Sequence, residues 1–500
     1  MGDGSTNEPA DPPVGAAPGP AAPGPATRVG EAAAPVRIDV DAEVARIAST
    51  VPGDAPLGSV EVDGHGGIAS AYDVSGLLVS AAAHLAVAAD DLARVRGIST
   101  PPRRLDADHV RSYATSHVEV DGRPIPAWAD LSGVYEARDG RHLQLHCNFE
   151  HHAAGIVRLL GCEPDRESLA GAVGRHDAHE LEARSIAEGM IAAVVRTTAE
   201  WDDHPHAAAT RDLPLVSVER IGDAAPLDDR EHEPLDAPGP LDALSGLRVL
   251  DCSRVIAGPV AGQLLAALGA DVLRVGADHL PSVDVGVLST GSGKRSTSID
   301  LRTVDGRSAM GDLLGGADVW IDAYRPGALA GHGFTPEGAA RGRPGIVIVQ
   351  ISAFDVVGPW AGRRGFDSIV QSTTGIRLAG GEHARDADGA ATGSGPLGLP
   401  VQALDHATGT LAAGVAAQLL AHQRRAGGSW LARLSLLRTR DELVRRGAPR
   451  PYVPSGVEVD RRVTTTCASE FGEVTTVDPF VGAWRSAPRR LGTSPPRWAR

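Results

Sequence analysis

The sequence predicts an α/β protein whose larger, Rossmann-like domain is built on a parallel sheet, and three stretches carry that expectation. Leu247–Asp251 is short and mostly apolar, as a buried strand requires. Val260, Leu264, Leu265 and Leu268 then recur at helical spacing, and Val272–Val275 follows as a second apolar strand. A strand–helix–strand unit of this kind joins parallel neighbours. Ile346–Ser352 is a nearly continuous apolar run, the pattern of a strand covered on both faces. A chain of 500 residues exceeds one ordinary core, so a smaller α+β domain is expected beside the large one.

Within the first unit, Ser253 is placed to cap the helix, Gly258-Pro259 to open its first turn and Gly269 to stop it. The turn Cys252-Ser253-Arg254-Val255-Ile256-Ala257 contains no glycine. A dinucleotide site needs Gly-x-Gly-x-x-Gly there so that backbone can approach a pyrophosphate. NAD binding is therefore not expected.

In chain order, residues 1–35 are rich in Pro, Ala and Gly and read as a disordered tail. Ser75–Val87 is an alanine-rich apolar helix. Val118–Val120, Gly133–Glu136 and His142–Leu145 read as short strands, with hairpin turns at Asp121-Gly122 and Asp139-Gly140. Helical patterning follows through Arg158–Leu160 and Glu180–Thr198. Residues 221–244 are rich in Asp and Pro and read as a linker. Beyond it, Leu411–His422 is an apolar helix, Trp430–Leu437 a strand and Thr439–Arg446 a short helix. Val463–Thr466 and Val474–Val477 are further strands. The expected organisation is thus a tail (1–35), a smaller α+β region (36–220), a linker (221–244), a large α/β domain (245–446) and a C-terminal extension (447–500).

A formal net charge of −15 argues against general nucleic-acid binding, which wants a basic footprint, and means that an anionic ligand needs a local cationic patch. The four cysteines are scattered, without disulfide-scaffold or metal-ligand spacing. His146, Cys147, Glu150, His151 and His152 are clustered but lack a second ligand pair, so no metal is expected. No signal-peptide pattern and no apolar run long enough to cross a bilayer is evident, which makes the cytoplasm the default. Lys294 is the only lysine in the chain.

Leu247-Arg-Val-Leu-Asp followed by Ala257-Gly258-Pro259 resembles the opening of the class III (family III) coenzyme A transferases. That family includes formyl-CoA transferase, carnitine CoA-transferase and alpha-methylacyl-CoA racemase. The resemblance continues in order through Gly293-Lys294-Arg295-Ser296, Ile299-Asp300-Leu301, Tyr324-Arg325-Pro326-Gly327, Gly365-Phe366-Asp367 and Leu404-Asp405. It also covers Gly133–Tyr135 and Leu145–Phe149, which are similar to the family's small domain. In this chain that segment precedes the large domain, so the order of the family fold is rearranged. Ala71-Tyr72-Asp73 before an Ala/Leu helix parallels Ala403-Leu404-Asp405 before another, which suggests a partial internal duplication.

The resemblance implies an acyl-CoA:carboxylate CoA-transferase with Asp405 as nucleophile and no tightly bound cofactor. Coenzyme A is then a substrate, the partners are an acyl-CoA and a carboxylic acid, and the chain forms a homodimer without nucleic acid or membrane. It implies that Arg274, Lys294, Arg295 and Arg325 line the groove for CoA, and that backbone amides near Ala257-Gly258 and Thr408-Gly409 serve developing oxyanions. From the residues alone, an Asp before an apolar helix is equally an N-cap. Departures from the family pattern point elsewhere. Ile256 stands where formyl-CoA transferase has glutamine, Gly276 where many members have an acidic residue, and Phe366 where the racemase branch has a proton-transferring histidine. A racemase or lyase acting on acyl-CoA, or a non-catalytic CoA-binding homologue, are the alternative readings.

Overall fold

In the computed structural model, which describes residues 39–53, 58–100, 103–227 and 243–499, the main sheet has seven strands. Their spatial order is Arg295–Ser298, Asp271–Gly276, Arg248–Cys252, Val319–Asp322, Val347–Ser352, Ser429–Ser435 and Ser217–Gly222. The first six are parallel and the last runs antiparallel to Ser429–Ser435. The chain of this domain starts in the middle, at Arg248–Cys252, winds outward to one side and then returns to the other. A crevice therefore opens beyond the carboxyl end of that strand, the usual ligand site of such sheets.

The alternation of side chains explains why the sheet is buried on both faces. Val249, Val272, Val319 and Val347 face one core, while Leu250, Leu273, Trp320 and Ile348 face a second. The expected elements are present, with shifted ends. The first helix runs Ala257–Ala267 and its N-cap is Ile256, which makes no side-chain cap bond. Ser253 is not the cap, because its hydroxyl donates to Asp251 instead. Trp430–Leu437 ends early as a strand, because Ser435 caps a helix that starts at Leu436 and runs to Arg445. Leu411–His422 is the middle of a longer helix, Ala403–Ala426. Glu180–Thr198 is not one helix: Ala178–Ala187 is helical, and Ala192–Val194 is a buried strand. There the pairing with His142–Leu145 overrides alanine's helical preference.

The smaller parts of the fold are sheets built from distant segments. Gly133–Glu136, His142–Leu145 and Ala192–Val194 form an antiparallel sheet. Thr464–Ser469 and Gly472–Val477 join Val118–Val120 and Arg123–Pro124 in another. The C-terminal extension is thereby tied to the first half of the chain. Its last residues also run along the large domain, where the Ser494 amide donates to the Ser296 carbonyl at 2.7 Å and the Trp498 indole to Leu313 at 3.1 Å. The expected linker begins inside the strand Ser217–Gly222, and most of it (228–242), like the expected tail, lies outside the described residues.

Two long helices, Val74–Val95 and Ala403–Ala426, pack side by side. His84 Nε2 lies 2.9 Å from Gln418 Oε1, and Arg425 grips Asp91 with bonds of 2.7 and 2.8 Å. Both contacts join residues 334 apart, so the helices run parallel and in register. By length and composition Val74–Val95 is apolar enough to cross a membrane, contrary to the sequence expectation, yet 94% of its apolar window is buried within the protein. The pair approaches closely at Gly414, where an added Cβ would lie 2.5 Å from His84 Nδ1. Gly414→Val is therefore expected to lower unfolding free energy by about 1–3 kcal/mol through overpacking, measured by urea denaturation.

Candidate active site

The turn Ser253–Ile256 lies at the mouth of the crevice. Val255 has φ +74°, a left-handed conformation that a β-branched residue adopts only under strain. The strain lets the chain leave the strand at Cys252 and enter the next helix at Ala257 after only four residues. The amides of Ala257 and Gly258, without partners inside the helix, open it, and Pro259 follows without one. Helix Ala403–Ala426 sits directly against this opening, because Gly409 has no side chain: a Cβ there would lie 2.4 Å from the Ala257 carbonyl oxygen.

Asp405 is the third residue of helix Ala403–Ala426, 6% exposed and within its first turn. It is not the N-cap. That place belongs to Gln402, whose side chain makes no cap bond. The cap comes from another element. Asp367, fully buried at the start of helix Asp367–Thr373, accepts the Asp405 backbone amide at 3.0 Å on Oδ2. Gln371 Nε2 donates to its other oxygen, and Gln371 Oε1 in turn accepts the Leu399 amide at 2.8 Å. Asp367 therefore frees the Asp405 carboxylate from capping duty.

Burial, first, and the neighbouring Asp367 charge push the Asp405 carboxyl well above the ordinary carboxylate range, while the Ala257 amide opposes the shift. Burial raises Asp367 from 3.8 to about 6. Since the folded chain holds Asp367's proton more tightly than the unfolded chain, this group's contribution to stability declines as pH rises from 3.8 through about 6.

Two cavities meet at Asp405. One, of about 680 Å³, is lined by Arg325, Arg302, Arg364, His279 and the Ala257-Gly258 turn. The other, of about 350 Å³, is lined by Arg274, Lys294, Arg295 and, from the first half of the chain, Ser116, Trp128, His146 and Asn148. Arg254, Val255, Ile256, Phe149, Phe366 and Asp405 border both. The basic residues expected to share one groove are thus divided.

Their states differ as well. Lys294 is buried and bonded to Asp251 at 3.0 Å and to the Pro259 carbonyl at 3.0 Å. It is a brace between the strand end and the helix opening rather than a free cation for a ligand. Arg295 makes two bonds to Asp271, at 2.8 and 2.7 Å, and is likewise neutralised within the fold. Arg325 is exposed at the mouth of the larger cavity. The Arg325 charge and burial both lower the Arg364 pKa, and burial, with Arg274 and Arg364 nearby, lowers that of Arg254. Among the described residues none of Arg254, Arg274, Arg325 and Arg364 has a carboxylate partner, which is the electrostatic signature of an anion site.

Thr408 and Gly409 lie in the second turn of their helix, where amides are consumed by helical bonds. They are not oxyanion donors, and that expectation passes to Ala257 and Gly258. His406 faces away from Asp405, with Nε2 2.7 Å from Ser116 Oγ, and burial lowers its pKa to about 4. His146 stacks on Phe366 with ring centroids 4.1 Å apart and is neutral for the same reason. Among the described residues no three metal-ligating side chains converge. Asp73, by contrast with Asp405, caps its own helix, accepting the Gly76 amide at 2.9 Å, with Arg446 3.6 Å away. Sequence reasoning missed Asp367, Arg254 and Arg364. The Gly365-Phe366-Asp367 motif and the strand-to-helix turn were the available signals.

The large domain is thus a doubly wound α/β sheet with a buried carboxylate at its crevice and arginines without carboxylate partners around it. Residues 244–446 match the model of CoA-transferase family III. A succinate–glutarate CoA-transferase from Agrobacterium fabrum is 33% identical over 38% of this chain and 50% of its own. A probable fatty acyl-CoA transferase of Mycobacterium tuberculosis is 32% identical over 38% and 49%. An acyl-CoA transferase of Gibberella moniliformis is 26% identical over 69% and 66%. The chain spans about half to two thirds of these relatives. A crystal structure of a CAIB/BAIF family protein from Brucella suis covers 48% of this chain and 65% of its own, at 25% identity and a TM-score of 0.36.

The geometry makes Asp367 a lever on Asp405. Asp367→Asn keeps an oxygen for the Asp405 amide and removes the neighbouring charge. If Asp405 must be ionised to react, the acidic limb of the kcat/KM profile moves to lower pH by about 1 unit. An unmoved limb would show that the two carboxylates are not electrostatically linked.

Proposed function

We propose that this protein is an acyl-CoA:carboxylate CoA-transferase that carries CoA on Asp405. The supporting observation is the place of Asp405, a water-shielded carboxylate where a larger cation-rimmed cavity meets a smaller one of mixed polarity. CoA is a co-substrate in this reading, with its phosphates toward Arg325 and Arg364 and its thioester at Asp405; Arg302 is held by Asp300.

In the proposed cycle the ionised Asp405 attacks the thioester carbonyl of the donor. The C–S bond breaks, giving a mixed anhydride and the CoA thiolate. The thiolate attacks the Asp405 carbonyl, releasing the donor acid as its carboxylate and leaving aspartyl-CoA. The acceptor carboxylate attacks that thioester, and the thiolate leaves again. Its attack on the acceptor carbonyl gives the new acyl-CoA and restores Asp405. No net proton is moved. The Ala257 and Gly258 amides suit the oxyanions of these steps. The N-terminal position of Asp405 in its helix favours the ionised form against burial and the Asp367 charge. Exclusion of water protects the anhydride and the thioester from hydrolysis. The reading takes the protein as a homodimer, which the family resemblance implies, and as cytoplasmic.

Asp405→Asn is expected to abolish CoA exchange between an acyl-CoA and a labelled free acid, while Asp73→Asn leaves most of it. Hydroxylamine added during turnover should convert the Asp405 peptide to a hydroxamate. Modification at Asp73, or full activity of the Asp405 variant, would remove the assignment. Arg325→Ala should weaken CoA-ester binding by about 1–3 kcal/mol, read by calorimetry against dephospho and truncated CoA analogues.

A further inference from the structure

Helix Ala403–Ala426 begins without help from its own cap residue. Gln402 occupies the N-cap, yet its side chain makes no cap bond, and Asp367 accepts the Asp405 amide that a capping side chain would take. The Gln402 carboxamide is therefore left over, and among the described residues no hydrogen bond holds it. The N-cap and the third helical position are neighbours on one side of a first turn, the pairing that a capping box exploits. Gln402 and Asp405 hold those two places, and both border the smaller cavity. A second polar group reaches that cavity from the first half of the chain. Ser116 borders it, and its Oγ lies 2.7 Å from His406 Nε2. The direction of that bond follows from counting protons. His406 is buried, and its Nδ1 has no partner. Burial holds the ring neutral, with one proton. An N–H left bare in the interior is rarer than a bare acceptor, so the proton sits on Nε2 and is donated to Ser116. The Ser116 hydroxyl, an acceptor there, keeps its own proton for another partner, and none is present among the described residues. Neither Gln402 nor Ser116 borders the larger cavity.

We propose that Gln402 and Ser116 form a neutral, two-donor seat for the carboxylate that leaves and enters at Asp405. The proposal rests on the CoA-transferase reading and supplies residues for a step that reading leaves without them: one free acid must depart and another take its place while CoA stays on Asp405. One oxygen of the incoming carboxylate attacks the aspartyl-CoA carbonyl carbon, a C–O bond forms and the C–S bond breaks. The other oxygen accepts from Gln402 Nε2–H and Ser116 O–H, and neither donor gives up its proton. The departing donor carboxylate occupies the same seat by the reverse of these steps. Neutral donors suit a nucleophile, since a charge-assisted bond is about twice as strong and would hold back the attacking electron pair. Arg254, Arg274 and Arg489 also border this cavity. What singles out Gln402 and Ser116 is the helix that bears Asp405: Gln402 opens it, and Ser116 is bonded to His406, the residue after Asp405.

The test uses the full chain, the acyl-CoA that the wild-type protein exchanges fastest from a panel of acyl-CoA esters, and the labelled acid of that same acyl group. Gln402→Leu and Ser116→Ala should each raise KM for the acid about tenfold, the loss of one hydrogen bond to a carboxylate, and leave KM for the acyl-CoA within about twofold. Gln402→Asn, which keeps a donor on a shorter arm, should recover part of the loss. With hydroxylamine and no added acid, the Asp405 hydroxamate should form in both variants at a rate within about threefold of the wild type, because that step needs no incoming acid. Circular dichroism melting curves check that each variant is folded. An unchanged acid KM in both variants overturns the proposal. So does hydroxamate formation that falls as far as exchange, which would show that the two residues only hold the helix of Asp405. An acid KM that moves in Arg274→Gln or Arg489→Gln but in neither of these variants would place the carboxylate on an arginine instead. Wild-type protein that forms no hydroxamate and exchanges no acyl-CoA removes the transferase reading and the seat with it, whereas unaffected variants of an active enzyme remove the seat alone.

Discussion

Asp405 is a carboxylate held out of water with no cation bonded to it, and the surrounding structure is arranged around that constraint. Its helix needs a cap, and Gln402 supplies none, so the chain brings a second carboxylate, Asp367, to the Asp405 amide. Two buried acids at one helix start raise each other's proton affinity. The Ala257 amide and the helix N-terminus pull the other way. Lys294, which might have neutralised the pair had it been free, is anchored to Asp251. The site therefore keeps a carboxylate of raised proton affinity and shields it from water.

Positive charge is supplied at a distance instead. Arg254 leaves the strained turn, donates to the Pro281 carbonyl and lies over Phe149 at 5.0 Å. Arg364 donates to Gly189, and Arg325 stands at the rim. In a chain with a net charge of −15, an unpaired cluster of this kind is not explained by composition. Both cavities share it: Arg274 faces the smaller, Arg325 and Arg364 face the larger, and Arg254 borders both.

The first half of the chain completes this arrangement. Ser116, Trp128, His146 and Asn148 close the smaller cavity, and the stacking of His146 on Phe366 fixes the wall beside Asp367. The helix pair Val74–Val95 and Ala403–Ala426 carries the load behind the site: its register holds the helix that bears Asp405, and Gly409 and Gly414 allow close approach on two sides. Of its two aspartates, Asp73 is consumed as a cap, whereas Asp405 is relieved of that role by Asp367.

By itself the sequence determined the strand–helix–strand unit at 248–276 and the buried strand at 347–352, and it singled out Asp405 as a candidate, because hydrophobic period and short motifs are local properties. It did not determine the antiparallel edge strand Ser217–Gly222, the break between Ala187 and Ala192, or the union of the C-terminal strands with Val118–Val120. Those depend on pairing between segments distant in the chain, Ala192–Val194 with Leu143–Leu145 and Val474–Thr476 with Val118–Val120, which leaves no local pattern. Nor did it distinguish Lys294, Arg295, Arg274 and Arg325, four cations of similar sequence context. Only the fold decided which of them meets a carboxylate of its own and which is left for a ligand, since that depends on where Asp251 and Asp271 come to lie.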